Sequence, residues 1–204
     1  PKRPITLYDP CCGGAYHLGV LAYLHWKDIA AIIASDIDPE ALSLAERNLA
    51  LLTPGGLERR IAEIEKMISL YGKESHAGAL ESARSLRQQQ AQFLQDHVIE
   101  TEIFFADVTN KETLVNRIGR KAVDIVLTDV PYGWSSGWQT PTAAQDDLSP
   151  AWRMLDSLKS ILSPDSVVAI AADKGQKFTH ESFQRLDKFR VGRRQVWILQ
   201  LACE

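Results

Sequence analysis

Cysteine is scarce in this sequence, long apolar runs are absent, and the glycine spacing that grips a pyrophosphate does not occur. Three cysteines among 204 residues, two of them adjacent, make no disulfide framework and point to a reducing, cytoplasmic location. No C-x-x-C pair or histidine cluster has zinc-ligand spacing, so no metal is expected. No apolar stretch approaches the roughly 20 residues of a membrane span, and no secretory signal pattern is present. The chain starts at Pro1 without a methionine and enters a strand almost at once, so residues upstream are expected to be missing.

An apolar content of 45% suffices for a single compact domain, residues 1–204, expected to be monomeric. The net charge of −3 hides an asymmetry. Between Lys174 and Arg194 lie seven basic residues (Lys174, Lys177, Arg185, Lys188, Arg190, Arg193, Arg194) against Glu181 and Asp187, a local +5, so the remainder carries −8. A basic tail on an acidic body has two readings, a track for phosphates or a solvated hairpin edge.

Period and punctuation alternate strands with helices. Ile5 to Tyr8, Ala31 to Ser35, Thr101 to Ala106, Val123 to Thr128 and Val167 to Ala172 read as strands. Tyr16 to His25 and Pro39 to Leu52 read as helices, the second with Asp38 as N-cap and Pro39 at its first position. Leu186 to Val191 and Gln195 to Ala202 form a hairpin around Gly192. The fold class is therefore α/β, a Rossmann-like, mostly parallel, doubly wound sheet with a C-terminal antiparallel hairpin. Residues 53–100 interrupt the alternation as a helical insertion with a break between Gly72 and Gly78. It reads as a decorated crossover on the sheet edge, with a substrate-recognition arm as the alternative.

Asp9, Asp36, Asp107 and Asp129 each close an apolar run. One such Asp is an ordinary turn former. A row of them along the carboxyl ends of parallel strands is a ligand rim. A dinucleotide is disfavoured, because Asp9 would repel a pyrophosphate and D-P-C-C-G-G-A-Y offers only Gly13 and Gly14 side by side. S-adenosylmethionine fits better: it has a cationic end for Asp9, a ribose for Asp36 and an adenine amine for Asp107. Gly13 and Gly14 would admit its methionine portion without an intervening Cβ. The expected cofactor-binding set is Asp9, Cys11, Gly13, Gly14, Ala15, Asp36, Ile37, Asp107, Val108 and Asp129.

The fourth strand runs into T-D-V-P-Y-G, residues 128–133. With L-Y-D-P-C-C-G, A-S-D-I-D-P, N-L-A-L-L, A-D-V and V-L-T-D-V-P-Y-G, the chain resembles the avilamycin-resistance type of ribosomal RNA guanine-N2 methyltransferase. The resemblance runs from about Leu7 to the C-terminus and weakens after Trp134. It implies methyl transfer from S-adenosylmethionine to guanine N2 in large-subunit rRNA, and a link to antibiotic resistance. Adenine N6, a protein Gln side chain, or a weakly active cofactor- or RNA-binding module are the alternatives.

Three departures stand out. Ala15 replaces the second glycine of the family's turn, so its methyl group is expected to crowd the cofactor unless Gly14 compensates. Val130 replaces a second proline. An N-terminal extension found in the family is expected ahead of the first strand and is not among these residues.

The expected catalytic residues are Asp129, Pro131 and Tyr132. Asp129 and a backbone carbonyl at Val130 or Pro131 would accept from the amine, Pro131 would fix that carbonyl, and Tyr132 would stack on the base. Cys11 and Cys12 have no histidine placed to activate them and read as packing. Trp134 and Trp138 suit a lid over the site, a second stacking platform or core anchors. The expected partner is ribosomal RNA, held through Lys174 to Arg194 and the helical insertion. Its target base must be unpaired or flipped out.

Overall fold

The computed structural model describes residues 3–72, 74–119, 123–130 and 148–202. The expectations for Pro131, Tyr132, Trp134 and Trp138 lie outside these residues.

Strand β1 (Ile5–Asp9) leads through the glycine turn into α1 (Tyr16–Leu24), and β2 (Ile29–Asp36) into α2 (Pro39–Leu49). Asp38 caps α2 as its sequence requires, its carboxylate accepting from Glu40 N at 2.8 Å with Pro39 in the first turn. The insertion supplies α3 (Gly56–Tyr71) and α4 (Glu74–Phe93). The remaining elements are β3 (Glu100–Phe105), α5 (Lys111–Ile118), β4 (Val123–Asp129), α6 (Pro150–Lys159), β5 (Leu162–Asp173), β6 (Phe183–Val191) and β7 (Arg194–Leu201).

These strands form one sheet in the order β3-β2-β1-β4-β5-β7-β6. From β3 to β5 the pairing is parallel, while β7 runs antiparallel to both β5 and β6. The chain moves outward from β1 through β2 to β3, then returns to place β4 on the other side of β1. That reversal makes the β1–β4 boundary the switch point where such sheets open a crevice.

The period of two within each strand sends neighbours to opposite faces. Tyr8, Ile33, Val126 and Ile170 pack with Leu114 and Ile118 of α5 and Met154, Leu155 and Leu158 of α6. Leu7, Ile32 and Ala34 pack with Leu18 and Ala22 of α1 and Leu42, Ala45 and Leu49 of α2. Both faces of the central strands are thereby covered, as their near-continuous apolar runs demand.

Several elements differ from the sequence reading. Helices α5 and α6 carry caps that the period alone does not reveal, Asn110 accepting from Thr113 N and Ser149 from Trp152 N. The break in the insertion falls between α3 and α4, where Gly72 takes φ +58°, and Gly78 lies within α4. Ile61, Ile64 and Ala83 form the insertion's own small core with Leu80, Met67 and Ile68. Tyr71 and Leu86, although on the same helical spacing, are exposed. The insertion is anchored at its base. Buried Gln90 donates to Leu51 O at 2.6 Å, and Phe93 stacks on Trp26 at 5.4 Å.

Among the described residues no helix is long and apolar enough to cross a membrane, and no group of three or more His, Cys, Asp and Glu side chains has metal-holding geometry.

Candidate active site

The strand order places the four acids side by side. Asp36 ends β2, Asp9 ends β1 and Asp129 ends β4, three neighbouring parallel strands. Asp107 lies just past β3, and Ala106 N donates to Asp36 O at 3.1 Å, which carries the β3–β2 pairing up to it. The rim read from the sequence is present in space.

The turn after β1 is tied down from every side. Asp9 is fully buried, with Oδ1 accepting from Cys11 N at 3.0 Å. Cys12 N donates to Ser35 O at 3.0 Å, and Asn48 of α2 donates to Gly14 O at 2.7 Å. Gly13 adopts φ +51°, where a Cβ is costly, and among the described residues no atom beyond its chain neighbours lies within 4 Å of the place that Cβ would occupy. At Gly14 a Cβ would instead press on Leu44 Cδ2 at 2.9 Å. The turn is thus closed underneath and open above Gly13, the shape of a cradle.

Ala15 carries the expectation of crowding. It takes the left-handed region (φ +55°) and is fully buried against the core beneath α1. Its methyl group packs with the buried cluster of Leu18 and Leu42.

One neighbour of the rim escapes the sequence reading. His17, in the first turn of α1, places Nε2 at 2.7 Å from Asp9 Oδ2, and this hydrogen bond raises the imidazole pKa against the opposing effect of partial burial. Asp9 thus already has a hydrogen-bonding partner within the protein. The cysteines behave as packing groups: burial, followed by the charges of Asp9 and Asp36, pushes both thiols up. Neither is a thiolate nucleophile near neutral pH.

Asp36 accepts from Gly13 N at 2.8 Å through Oδ2 and from Asp38 N at 3.0 Å through Oδ1. Each carboxylate oxygen keeps a further lone pair, so the group is oriented and can still accept hydroxyls. Asp107 uses Oδ1 for Thr109 N and Thr109 Oγ1, at 2.8 and 2.7 Å. Ile37 is partly exposed beside Asp36, and Val108 is buried beside Asp107.

Asp129 is exposed at the end of β4, and its carboxylate pairs with the guanidinium of Arg194, which partial burial holds below its usual pKa. The substitution of Val130 for proline also has a structural reason. Val130 N donates to Ala171 O at 3.0 Å, a bond proline cannot make, and this fixes the backbone just after Asp129.

The basic stretch divides in two. Lys188 Nζ sits 4.0 Å from the centre of the Trp197 ring, with Arg185 at 5.9 Å, so these two cover the core. Arg194 instead faces Asp173 across the β5–β7 ladder, which puts the Gly192 turn, Arg193 and Lys174 at the same end of the sheet as the acidic rim.

A carboxylate rim, an open glycine cradle and an oriented Asp36 fit a ribose-bearing cation. Comparison with known proteins agrees. The family model described as rRNA methyltransferase AviRa matches residues 1–194. The 23S rRNA (guanine(2535)-N(1))-methyltransferase of Streptomyces viridochromogenes is 36% identical over 199 residues, covering 98% of this chain and 77% of that protein. A solved structure of the rRNA methyltransferase AviRa from Streptomyces viridochromogenes matches with a TM-score of 0.82 at 33% identity, covering 98% of this chain and 78% of that one. TrmN from Thermus thermophilus, at 16% identity and TM-score 0.58 over 98% of this chain and 45% of its own, shares the fold.

The curated relative corrects one expectation, because it is named for guanine N1 and not N2. The acceptors expected of D-V-P-Y-G, at Asp129 and a following carbonyl, would face a nitrogen on the pairing edge of a base. N1 and N2 lie on that edge one carbon apart, so the motif does not separate them.

Proposed function

Because the chain belongs to the AviRa family of rRNA methyltransferases, we propose that it methylates N1 of a guanine in 23S ribosomal RNA. Its cofactor is S-adenosylmethionine, which supplies an electrophilic methyl group on a sulfonium.

The observation that carries the reading is the placement of Asp129 at the end of β4, next to the switch point and on the same rim as Asp36 and Asp107. Guanine N1 carries a proton, and its lone pair belongs to the ring π system. It becomes a nucleophile only as the proton leaves, so a positioned acceptor is the minimum requirement. Asp129 is that acceptor. Its backbone is held by the Val130–Ala171 hydrogen bond, which keeps the carboxylate in place for an in-line reaction.

The other residues hold the donor. Asp36 accepts the ribose hydroxyls, and Asp107 accepts the adenine amine through Oδ2. Ile37 and Val108 flank the adenine. The Gly13–Gly14 backbone admits the methionine portion. Asp9 and Ala15 show no exposed surface and act through the turn they shape.

The basic end of the hairpin, with Lys174 and Arg193, offers a track for phosphates beside the rim. N1 is engaged whenever guanine is paired, so the target must be unpaired or extruded.

Nucleoside analysis of 23S rRNA after incubation with labelled donor tests the reading. Label in 1-methylguanosine supports it, and label in any other nucleoside, or in protein alone, overturns it.

A further inference from the structure

Arg194 begins β7 opposite Asp173, the last residue of β5. Its guanidinium pairs with Asp129 through Nη2 and with Asp173 through Nη1, the latter at 3.5 Å. Only 20% of the Arg194 side chain is exposed, against 54% for Asp129. One cation is therefore held between two carboxylates, at the place where the methyl acceptor must arrive.

The pairing edge of guanine presents O6, an acceptor, next to N1–H, a donor. A carboxylate facing N1–H leaves an arginine bound to that same carboxylate beside O6. The guanidinium carries five N–H donors in one plane, enough to hold a carboxylate and a carbonyl oxygen together.

We propose that Asp129 and Arg194 read this edge as a unit, Asp129 accepting N1–H and Arg194 donating to O6, so that Arg194 selects guanine and counters the negative charge that builds on O6 as N1 loses its proton. This rests on the reading above that the acceptor atom is guanine N1.

The N1–H bond breaks and its proton passes to Asp129. The electron pair left on N1, shared with O6, forms the N1–methyl bond while the sulfur–methyl bond breaks and its pair stays on sulfur. The base leaves neutral and the donor leaves as a thioether, with no change in oxidation state to supply from elsewhere. Arg194 keeps its proton throughout and stabilises the anionic stage. Adenine inverts the pattern, with an amine where guanine has O6 and a bare N1 where guanine has N1–H. Donor then meets donor and acceptor meets acceptor, which rejects adenine. Hypoxanthine keeps both groups and passes.

The test uses Arg194→Gln and Arg194→Lys on rRNA, with single-turnover rates of 1-methylguanosine formation from pH 6 to 9.5, KM for the RNA, and calorimetric affinity for S-adenosylhomocysteine. For Arg194→Gln, kcat should fall about 100-fold at neutral pH, the usual scale for losing a donor to a developing oxyanion. The deficit should shrink as pH rises, because N1 then ionises without help. Arg194→Lys should recover part of the rate, and affinity for the thioether should stay within about twofold of wild type. A target carrying inosine should be methylated by the wild type, and one carrying adenosine should not.

A deficit equal at every pH, or a raised KM with kcat intact, overturns the proposal. Should Arg194→Gln fail to fold, Arg194→Lys decides, since wild-type kcat in that variant also overturns it. A wild-type enzyme that methylates another atom sinks the guanine-N1 reading and this proposal with it. Intact 1-methylguanosine formation combined with a pH-independent Arg194→Gln deficit sinks the proposal alone.

Discussion

The backbone N–H of Gly13 donates to Asp36 Oδ2 across 2.8 Å, so the turn after β1 and the end of β2 move as one piece. The second oxygen of the same carboxylate holds Asp38 N at 3.0 Å. Asp36 thus orients the glycine cradle and the start of α2 together.

Asp36→Ala should therefore weaken two properties at once. Loss of hydrogen bonds to a charged group costs about 1.5–3 kcal/mol each when a donor is left without a partner, and somewhat less here because water reaches the site. Denaturant unfolding should show a loss of about 1–3 kcal/mol. Calorimetry should show S-adenosylhomocysteine binding at least about tenfold weaker. Undiminished affinity would remove Asp36 from the cofactor site.

Asp129→Asn should separate chemistry from binding. The variant keeps the shape of the side chain and loses its capacity to take a proton, so turnover should fall by about 10²–10⁴. Affinity for S-adenosylhomocysteine should change by less than about twofold, because Asp36, Asp107 and the glycine cradle hold the cofactor and the amide keeps the shape of the carboxylate. Equal loss of transfer and binding would contradict this division of roles.

His17 makes stability depend on pH with a definite sign. Its pKa is raised in the folded protein, mainly by the hydrogen bond to Asp9. The His17–Asp9 contribution is then fully present below the unfolded histidine value of about 6.5, and is lost as pH rises through the folded value. His17→Gln removes the titration. The melting temperature of the wild type should exceed that of His17→Gln most at or below pH 6, with the gap closing upward from about pH 6.5. A gap that widens with pH would show that the imidazole is held neutral.

Ala15→Gly should change little. The left-handed backbone costs an L-residue about 1–2 kcal/mol, which glycine relieves. Against this stand about 0.8 kcal/mol for the buried methyl and about 0.4–1 kcal/mol for the greater freedom of glycine in the unfolded chain. The net falls within about 1 kcal/mol of zero in urea unfolding. S-adenosylhomocysteine affinity should also be preserved, since the Ala15 methyl is in the core. A large gain in affinity would show that the methyl does obstruct the cradle.

Much of the fold is legible in the sequence because local chemistry announces it. Asp9, Asp36 and Asp129 are carboxylates that close mostly apolar runs, and a parallel sheet lines such residues up along one edge. Asp38–Pro39 signals a helix start, and Gly192 a hairpin turn, with φ +57° in the structure. What stays hidden depends on contacts between distant segments. His17 meets Asp9 only once α1 stacks against the end of β1. Arg194 meets Asp129 only through the register of β7 on β5, which no local pattern specifies. Gly78 lies inside α4, because a single glycine costs a helix only about 1 kcal/mol relative to alanine and does not by itself break it. The choice of ring nitrogen is hidden for a different reason, since N1 and N2 require the same kind of acceptor from the protein.

The most direct measurement is a crystal structure of the full chain with S-adenosylhomocysteine bound. The ribose hydroxyls should lie within hydrogen-bond distance of Asp36, the adenine amine at Asp107, and the sulfur in the space between the Gly13 turn and Asp129. A nucleoside bound elsewhere, or a thioether sulfur facing away from Asp129, would contradict the assignment of this rim as the site of methyl transfer.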